Sequence, residues 1–275
     1  MKNYRTIVSK HFTEKVKLSE VLQKISKLDL SVVRDAALKG AVWIQKEGRG
    51  KILRIRSVET LVNPNDSISF YYDSRVLSIP ELKSVDLVFE NSHYGIWNKP
   101  AGIVPQGTQA GDHSSLLRYV EKHRKKEVYL VHRLDRETEG LMIVGYTSEA
   151  ARLLSDLFQK NKIKKIYQAI ILGEVPKGHK QTINASLEDK EAITHFEVLD
   201  SKNGQSLLSV QIDTGRLHQI RRHLDGIGLP IMGDPKYGKG NKNREGLKLL
   251  AYSVSFTDPW TKQVVNYQLD KGLSF

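Results

Sequence analysis

The sequence predicts an α+β protein, with a mixed and mostly antiparallel sheet, flanking helices and a central basic cleft, preceded by a small α/β module. Two observations support this prediction. Apolar runs of strand length, separated by turn signals, recur from residue 85 to near the C-terminus. A few segments between them show the i, i+3, i+4, i+7 apolar spacing of amphipathic helices. Strand signals with a few interspersed helices are typical of α+β folds.

Composition narrows the class of function. The 275 residues carry a formal net charge of +12 and include no cysteine. Disulfides, cysteine-based zinc sites and thiol nucleophiles are therefore excluded, and a reducing compartment such as the cytoplasm is favoured. No apolar run approaches the ~20 residues of a membrane span, and residues 1–5 lead into no apolar signal segment. A chain this basic has a polyanion as its expected partner, and nucleic acid is the commonest one.

The chain is predicted to divide into a small basic module at residues 1–75, a linker at 76–84 and a main domain at 85–275. Apolar spacing predicts a helix over residues 18–28, and Ser31 is a candidate N-cap of a second helix. Short strands are expected at 41–44, 52–56 and 67–72. The module's basic residues are Arg34, Lys39, Lys46, Arg49, Lys51, Arg54 and Arg56.

The most informative stretch is residues 128–144. Apolar runs at 128–131 and 141–144 predict two buried strands, and the turn between them contains two arginines, two glutamates, an aspartate and a histidine. Polar groups at the rim of a core are common in functional sites, although a solvated turn has the same composition. The order of the residues is more specific, since His132, Arg133, Leu134 and Asp135 are followed by Thr-x-Gly-Leu.

A second polar motif, Thr-Gly-Arg-x-His-Gln-Ile-Arg, spans residues 214–221. We expect Thr214 or Gly215 to open a helix whose inward face carries Leu217, Ile220 and Leu224. Arg216 would then lie at the helix N-terminus, where free amides and a guanidinium converge on an anion. Residues 229–238 are expected to form an ordered turn after this helix.

Together these motifs resemble those of the pseudouridine synthases of the RluA type, and Asn-Lys-Pro-x-Gly at residues 98–102 resembles the largely structural first motif of that family. The resemblance covers roughly residues 85–270. The N-terminal module is loosely similar to a small RNA-binding domain that was first seen in a ribosomal small-subunit protein and that often precedes such synthases.

The resemblance implies roles for individual residues. Asp135 corresponds to the indispensable catalytic carboxylate, and Tyr167 to an active-site tyrosine that stacks on the flipped uracil and helps to remove the final proton. Arg216 is expected to pair with Asp135, because an adjacent guanidinium keeps a carboxylate ionised in a dry pocket. Arg133 is the candidate for filling the space that the base leaves. The other expected RNA contacts are His132, Arg136, His218, Gln219, Arg221, Arg222, Lys236 and Lys239.

Pseudouridine formation is an isomerisation, so no cofactor is expected, and the histidine spacing predicts no metal site. RNA is the expected partner and the expected state is monomeric, with large-subunit ribosomal RNA favoured over transfer RNA as the target. The alternatives are a transfer-RNA synthase, a non-catalytic RNA-binding or ribosome-assembly protein on the same scaffold, a generic phosphate-binding module and a methyltransferase. The last requires a glycine-rich cofactor loop, which the sequence lacks.

Overall fold

A computed structural model describes residues 4–9 and 14–275. Residues 1–3 and 10–13 lie outside this description. The expectation of no signal segment rests partly on residues 1–3. The chain forms two compact units, the first made of residues 1–83 and 106–123 and the second of 84–105 and 124–275. The second unit therefore begins close to the predicted start of the main domain, but residues 106–123 pack with the first. In the described part of the chain, no helix is both long and apolar enough to cross a bilayer.

The first unit contains a four-stranded antiparallel sheet in the order β1-β6-β3-β4 and a two-stranded pair, β2-β5. The strands are β1 (Tyr4–Ser9), β2 (Val16–Lys17), β3 (Val42–Gln45), β4 (Ile52–Arg54), β5 (Leu61–Val62) and β6 (Ser67–Asp73). The helices are α1 (Leu18–Ser26), α2 (Leu30–Leu38), α3 (Ser74–Leu77) and α4 (Leu116–Arg124), whose last residue belongs to the second unit.

The core of the first unit forms where α1 and α2 bury their apolar faces, with Leu22 and Val33 fully buried beside Phe70 of β6. The expected N-cap of α2 is wrong by two residues, because Asp29 holds the extended backbone and Ser31 lies within the first turn. Residues 106–115 are held against the rest of this unit by Asp112, which accepts hydrogen bonds from Arg54 and Arg56.

The second unit contains a ten-stranded sheet in which eight strands follow the order β12-β13-β14-β11-β15-β10-β8-β7, while β16 pairs with β15 and β9 with β10. All described pairings are antiparallel except β10 with β15, so the expected mixed and mostly antiparallel sheet is confirmed. The strands are β7 (Asp86–Glu90), β8 (Tyr94–Lys99), β9 (Tyr129–Leu130), β10 (Glu139–Gly145), β11 (Lys164–Leu172), β12 (Lys180–Asn184), β13 (Ile193–Lys202), β14 (Gln205–Ile212), β15 (Leu249–Thr257) and β16 (Val264–Gln268).

Two helices cover parts of this sheet. Helix α5 (Ser148–Gln159) has Thr147 as its N-cap, since the Thr147 hydroxyl accepts a hydrogen bond from the Ala150 amide at 3.1 Å. Helix α6 (Gln219–Gly226) packs Ile220 and Leu224 against β13 and β14. Each helix has its own apolar cluster. The loop after β9 contains Asp135, and the segment after β14 contains residues 214–218.

Helix α6 begins four or five residues later than expected. His218 is its N-cap and adopts a left-handed backbone conformation (φ 53°, ψ 30°), so the chain from Thr214 to Leu217 is a turn. Leu217 consequently has 61% of its surface exposed and does not face the core. The prediction that Arg216 lies at the helix N-terminus is wrong for the same reason.

Candidate active site

Asp135 lies in the loop between β9 and β10, at the edge of a pocket of about 110 Å³. Antiparallel pairing of β10 with both β9 and β8 fixes the two ends of this loop. The pocket is also lined by Arg133 and Thr138 of the same loop, by Tyr167 of β11, and by residues 215–216 and 218–221. The two motifs separated by about eighty positions in the sequence thus meet at one site.

The loop is supported from behind by a buried lysine. The Lys99 side chain has no exposed surface, and its ammonium donates to the carbonyls of Pro100 (3.0 Å), Ile103 (2.9 Å) and Arg136 (3.3 Å). Burial lowers the pKa of Lys99 to about 8, although Glu137, Asp135 and Glu139 oppose this shift. The Arg136 carbonyl, directly after Asp135, also accepts from the Gly102 amide at 2.8 Å. The first motif therefore holds the backbone of the loop that carries Asp135.

The arginine that pairs with Asp135 is Arg221. Its Nη1 lies 3.3 Å from Asp135 Oδ2 and 3.6 Å from Glu137 Oε2. The Arg216 guanidinium instead donates through Nε to the Glu191 carbonyl at 3.0 Å, although Arg216 still lines the pocket. The expected Arg216–Asp135 pair is therefore wrong in its choice of arginine, because the late start of α6 moves Arg221 to the pocket.

Arg221 is fixed by a second carboxylate. Its Nε and Nη2 donate to the two oxygens of Asp234 at 2.7 and 2.8 Å, and only 2% of the Arg221 side chain is exposed. Such two-point contacts set the plane of a guanidinium. Burial would lower the pKa of Arg221, but hydrogen bonding and the charges of Asp234 and Asp135 keep it above its ordinary value. The site thus holds a permanent positive charge against Asp135.

Tyr167 faces the pocket from β11, in the strand position that the sequence predicts. A β-bulge between Ile166 and Tyr167 shifts the register with β15. Bulges re-aim side chains, and they are common beside active sites. Burial raises the pKa of Tyr167, and the negative charge of Asp135 raises it further, so the side chain is a neutral phenol at neutral pH.

Three residues expected to contact RNA have structural roles instead. The His132 ring stacks on Phe158 at 4.2 Å, and its Nε2 accepts the Ile143 amide at 3.0 Å. Burial lowers the pKa of His132 to about 3, so it stays uncharged and supports the loop. Gln219 is buried, accepting from the Thr214 hydroxyl and the Arg216 amide and donating to the Ile193 carbonyl. Arg221 is the third, because its guanidinium is held by the carboxylates of Asp234 and Asp135.

The remaining expected contacts are placed differently. Arg133, Arg136, Lys236 and Lys239 are exposed, and Arg136 pairs with Glu137 at 3.2 Å. Arg222 is 26% exposed and pairs with Glu188 at 3.0 Å. His218 lies within the site, with Nε2 3.7 Å from Asp135 Oδ2. The sequence does contain a signal for the inward position of Arg221, since Arg221 and the core residue Leu224 are three apart and so share a helix face.

Comparison with known proteins shows the family of the chain. Residues 93–225 match the family described as RNA pseudouridylate synthase. An uncharacterized RNA pseudouridine synthase of Bacillus subtilis, YhcT, is 33% identical over 208 residues, which cover 68% of both chains. This chain belongs to the RNA pseudouridine synthase family. It is an enzyme of the isomerase class, and the expected RluA-type membership is confirmed.

Two further relatives extend the comparison. Ribosomal large subunit pseudouridine synthase D of Neisseria meningitidis serogroup A is 31% identical over 263 residues, covering 84% of this chain and 68% of that protein. The solved structure of human RNA pseudouridylate synthase domain containing 1 matches with a TM-score of 0.60 at 19% identity, over 70% of this chain and 86% of that one. The second match supports the fold alone.

Proposed function

We propose that this synthase isomerises one or a few uridines of large-subunit ribosomal RNA, with Asp135 as the catalytic carboxylate. The ribosomal target is supported by the Neisseria relative, whose name specifies that RNA and whose similarity spans most of this chain. The net charge of +12 is consistent with a polyanionic substrate. The expected working state is a cytoplasmic monomer.

One observation carries the assignment of Asp135. Its carboxylate lies at a pocket that also contains Tyr167, and a buried, doubly fixed arginine faces one of its oxygens. The pocket volume of about 110 Å³ is well below the ~300–1,000 Å³ of sites that enclose a whole small molecule. A single planar ring is the better match, as required for a base flipped out of its stack.

The reaction breaks the bond from uracil N1 to ribose C1′ and forms one from uracil C5 to the same C1′. The proton on C5 leaves, and N1 gains one, so no outside group or electron is needed. Asp135 acts on the ribose as the uracil departs, either as a nucleophile at C1′ or as a counter-charge for the electron-poor sugar. Arg221 favours both, because its positive charge attracts the carboxylate and holds one of its oxygens in place.

Tyr167 is proposed to stack on the flipped uracil. Its raised pKa keeps it a neutral phenol, which suits stacking and disfavours a role as the base that removes the C5 proton. Arg133 is exposed beside the pocket and is proposed to occupy the position that the base leaves. Arg136, Arg222, Lys236 and Lys239 are proposed to bind flanking phosphates.

We propose that the predicted module at residues 1–75 also contacts RNA, through fewer residues than its composition suggests. Arg34, Lys39, Arg54 and Arg56 each lie within ion-pair distance of a carboxylate. Within residues 14–275, Lys46, Arg49 and Lys51 have no described carboxylate partner, and all three are exposed around the β3–β4 turn. This turn is the candidate phosphate contact of the module.

The test is a transcriptome-wide pseudouridine map, by carbodiimide labelling and reverse-transcription stops, in cells with and without the gene. Complementation uses the wild type and Asp135→Asn, which keeps the size of the side chain and removes its charge. Stops in large-subunit ribosomal RNA that are lost on deletion and restored only by the wild type are expected. Restoration by Asp135→Asn would refute the role of Asp135, and stops confined to transfer RNA would refute the ribosomal target.

A further inference from the structure

The turn that follows α6 is tied to the site through Asp234, and it also carries Tyr237, which has no role in the chemistry described so far. Asp234 Oδ1 accepts the backbone amides of Lys236 (2.8 Å) and Tyr237 (3.0 Å), while the same carboxylate binds Arg221. Because one buried carboxylate makes all these contacts, Tyr237 is held at a fixed place relative to Arg221.

Tyr237 in turn contacts His218. Its hydroxyl lies 3.1 Å from His218 Nδ1, and the two rings meet edge to face, with centroids 5.7 Å apart and an interplanar angle of 84°. The Arg221 guanidinium lies 5.3 Å from the centre of the Tyr237 ring. His218 itself has a left-handed backbone (φ 53°), which a non-glycine residue keeps only where its surroundings enforce it. These contacts direct the imidazole towards the pocket.

The other nitrogen of His218 faces Asp135, with 3.7 Å between Nε2 and Oδ2. Burial lowers the pKa of His218, against an opposing effect of Asp135, so the neutral ring predominates at neutral pH. A neutral imidazole carries one N–H, and the nearby carboxylate favours that proton on Nε2. Tyr237 then donates to Nδ1. The 3.7 Å separation exceeds a hydrogen bond, but such contacts commonly shorten when substrate binds.

We propose that His218 is a positioning residue for Asp135: in the RNA complex its Nε2–H donates to Oδ2, and Tyr237 fixes the required tautomer. This role rests on the proposed function of Asp135. Arg221 and His218 are both nearest to Oδ2, so Oδ1 is the oxygen presented to the ribose. The arrangement resembles the way in which an outer hydrogen-bond partner fixes the tautomer of a metal-binding histidine.

The test compares His218→Gln with His218→Asn in purified full-length protein. A glutamine amide nitrogen reaches the place of Nε2, whereas an asparagine nitrogen reaches only that of Nδ1. Backbone preference works in the opposite direction, because asparagine tolerates the left-handed conformation better than glutamine. A higher activity of the glutamine variant therefore cannot result from relief of strain at this position.

Activity is measured as tritium release from RNA of cells that lack the gene, labelled at uridine carbon 5. We expect His218→Asn to lower kcat about 100-fold and His218→Gln to lower it at most about tenfold, by analogy with the losses of about 10–100-fold at outer partners of metal ligands. KM should change less than threefold in both. Tyr237→Phe should lower kcat, and adding it to His218→Asn should lower kcat no further, because Tyr237 acts only through the Nε2–Oδ2 contact that His218→Asn has already removed.

Each outcome supports or overturns the role. Equal kcat losses for the Gln and Asn variants, losses that appear in KM, or multiplying losses in the double variant would overturn it, as would an unaffected His218→Asn. Urea unfolding of each variant shows whether a loss of kcat comes from misfolding. If His218→Asn misfolds, the kcat of His218→Gln tests the role of His218. Failure of the proposed function gives a different result, because the wild type itself would then release no tritium. The role of His218 would be refuted together with that function.

Discussion

Replacing Arg221 with methionine should destabilise the protein strongly, and in a way that depends on pH. The Asp234 side chain has no exposed surface, and the Arg221 side chain is 2% exposed. Removing the guanidinium leaves a buried carboxylate whose remaining described partners are two backbone amides. Loss of one partner from a buried ion pair lowers the free energy of unfolding by about 3–5 kcal/mol.

The pH dependence follows from the sign of the pKa shift at Asp234. Burial would raise the pKa of this carboxyl, but hydrogen bonds from Arg221 and from the amides of Lys236 and Tyr237 hold it below its ordinary value. The ionised pair therefore stabilises the wild type above about pH 3.9, the value of a free aspartate, and this contribution is lost as pH falls through the lower folded pKa. In the variant burial dominates, so Asp234 should take up a proton on folding.

The assay is urea unfolding of wild type and Arg221→Met, followed by fluorescence and circular dichroism at several pH values. The difference in unfolding free energy should be largest near pH 7 and shrink towards pH 4, because protonation relieves the unpaired charge in the variant. Arg222→Met is the matched control, since it removes a neighbouring arginine that is 26% exposed and pairs with an exposed glutamate. It should change stability by at most about 1 kcal/mol. A small or pH-independent change in the unfolding free energy of Arg221→Met would refute this prediction.

Three other predictions concern residues that support the loop carrying Asp135. Gly140→Ala should lower stability by several kcal/mol in urea unfolding, because Gly140 has a φ of +119° and a Cβ there would lie 2.3 Å from the Ala251 carbonyl oxygen; near-wild-type stability would contradict this. Lys99→Met should lower stability by about 1–3 kcal/mol and also lower kcat, because it removes the ammonium that donates to the Ile103 and Arg136 carbonyls behind Asp135; an unchanged kcat would show that Lys99 does not position the Asp135 loop. His132→Phe should flatten the pH dependence of stability, since a folded pKa of about 3 makes the wild type lose up to about 1.4 kcal/mol per pH unit below pH 6.5; equal slopes for the two proteins would show that His132 titrates normally.

The sequence was most informative where local pattern and tertiary contact agree. The helix α1 and the position of Asp135 between two strands both follow from apolar periodicity. Each of these features depends on contacts within about twenty residues. Local preferences therefore determine them almost completely.

The choice between Arg216 and Arg221 could not be made in that way. It depends on where α6 begins, and the left-handed backbone of His218 delays that start. Nothing in the preferences of Thr214 or Gly215 indicates this delay, because the contacts that support it come from Tyr237 and Asp135. Gln219 and His132 were misassigned for a related reason, since a polar side chain with buried partners has the same sequence signature as one that faces RNA.

The discontinuity of the first unit has a consequence for shortening the protein. Residues 106–123 lie in the middle of the synthase sequence, yet they pack with residues 1–83. Cutting the chain at residue 84 would remove Arg54 and Arg56 from Asp112 and would leave the segment that carries the buried residues Leu116 and Val120 without its packing partners. Residues 1–83 therefore cannot simply be deleted. A shorter enzyme would also need a redesigned 106–123 segment.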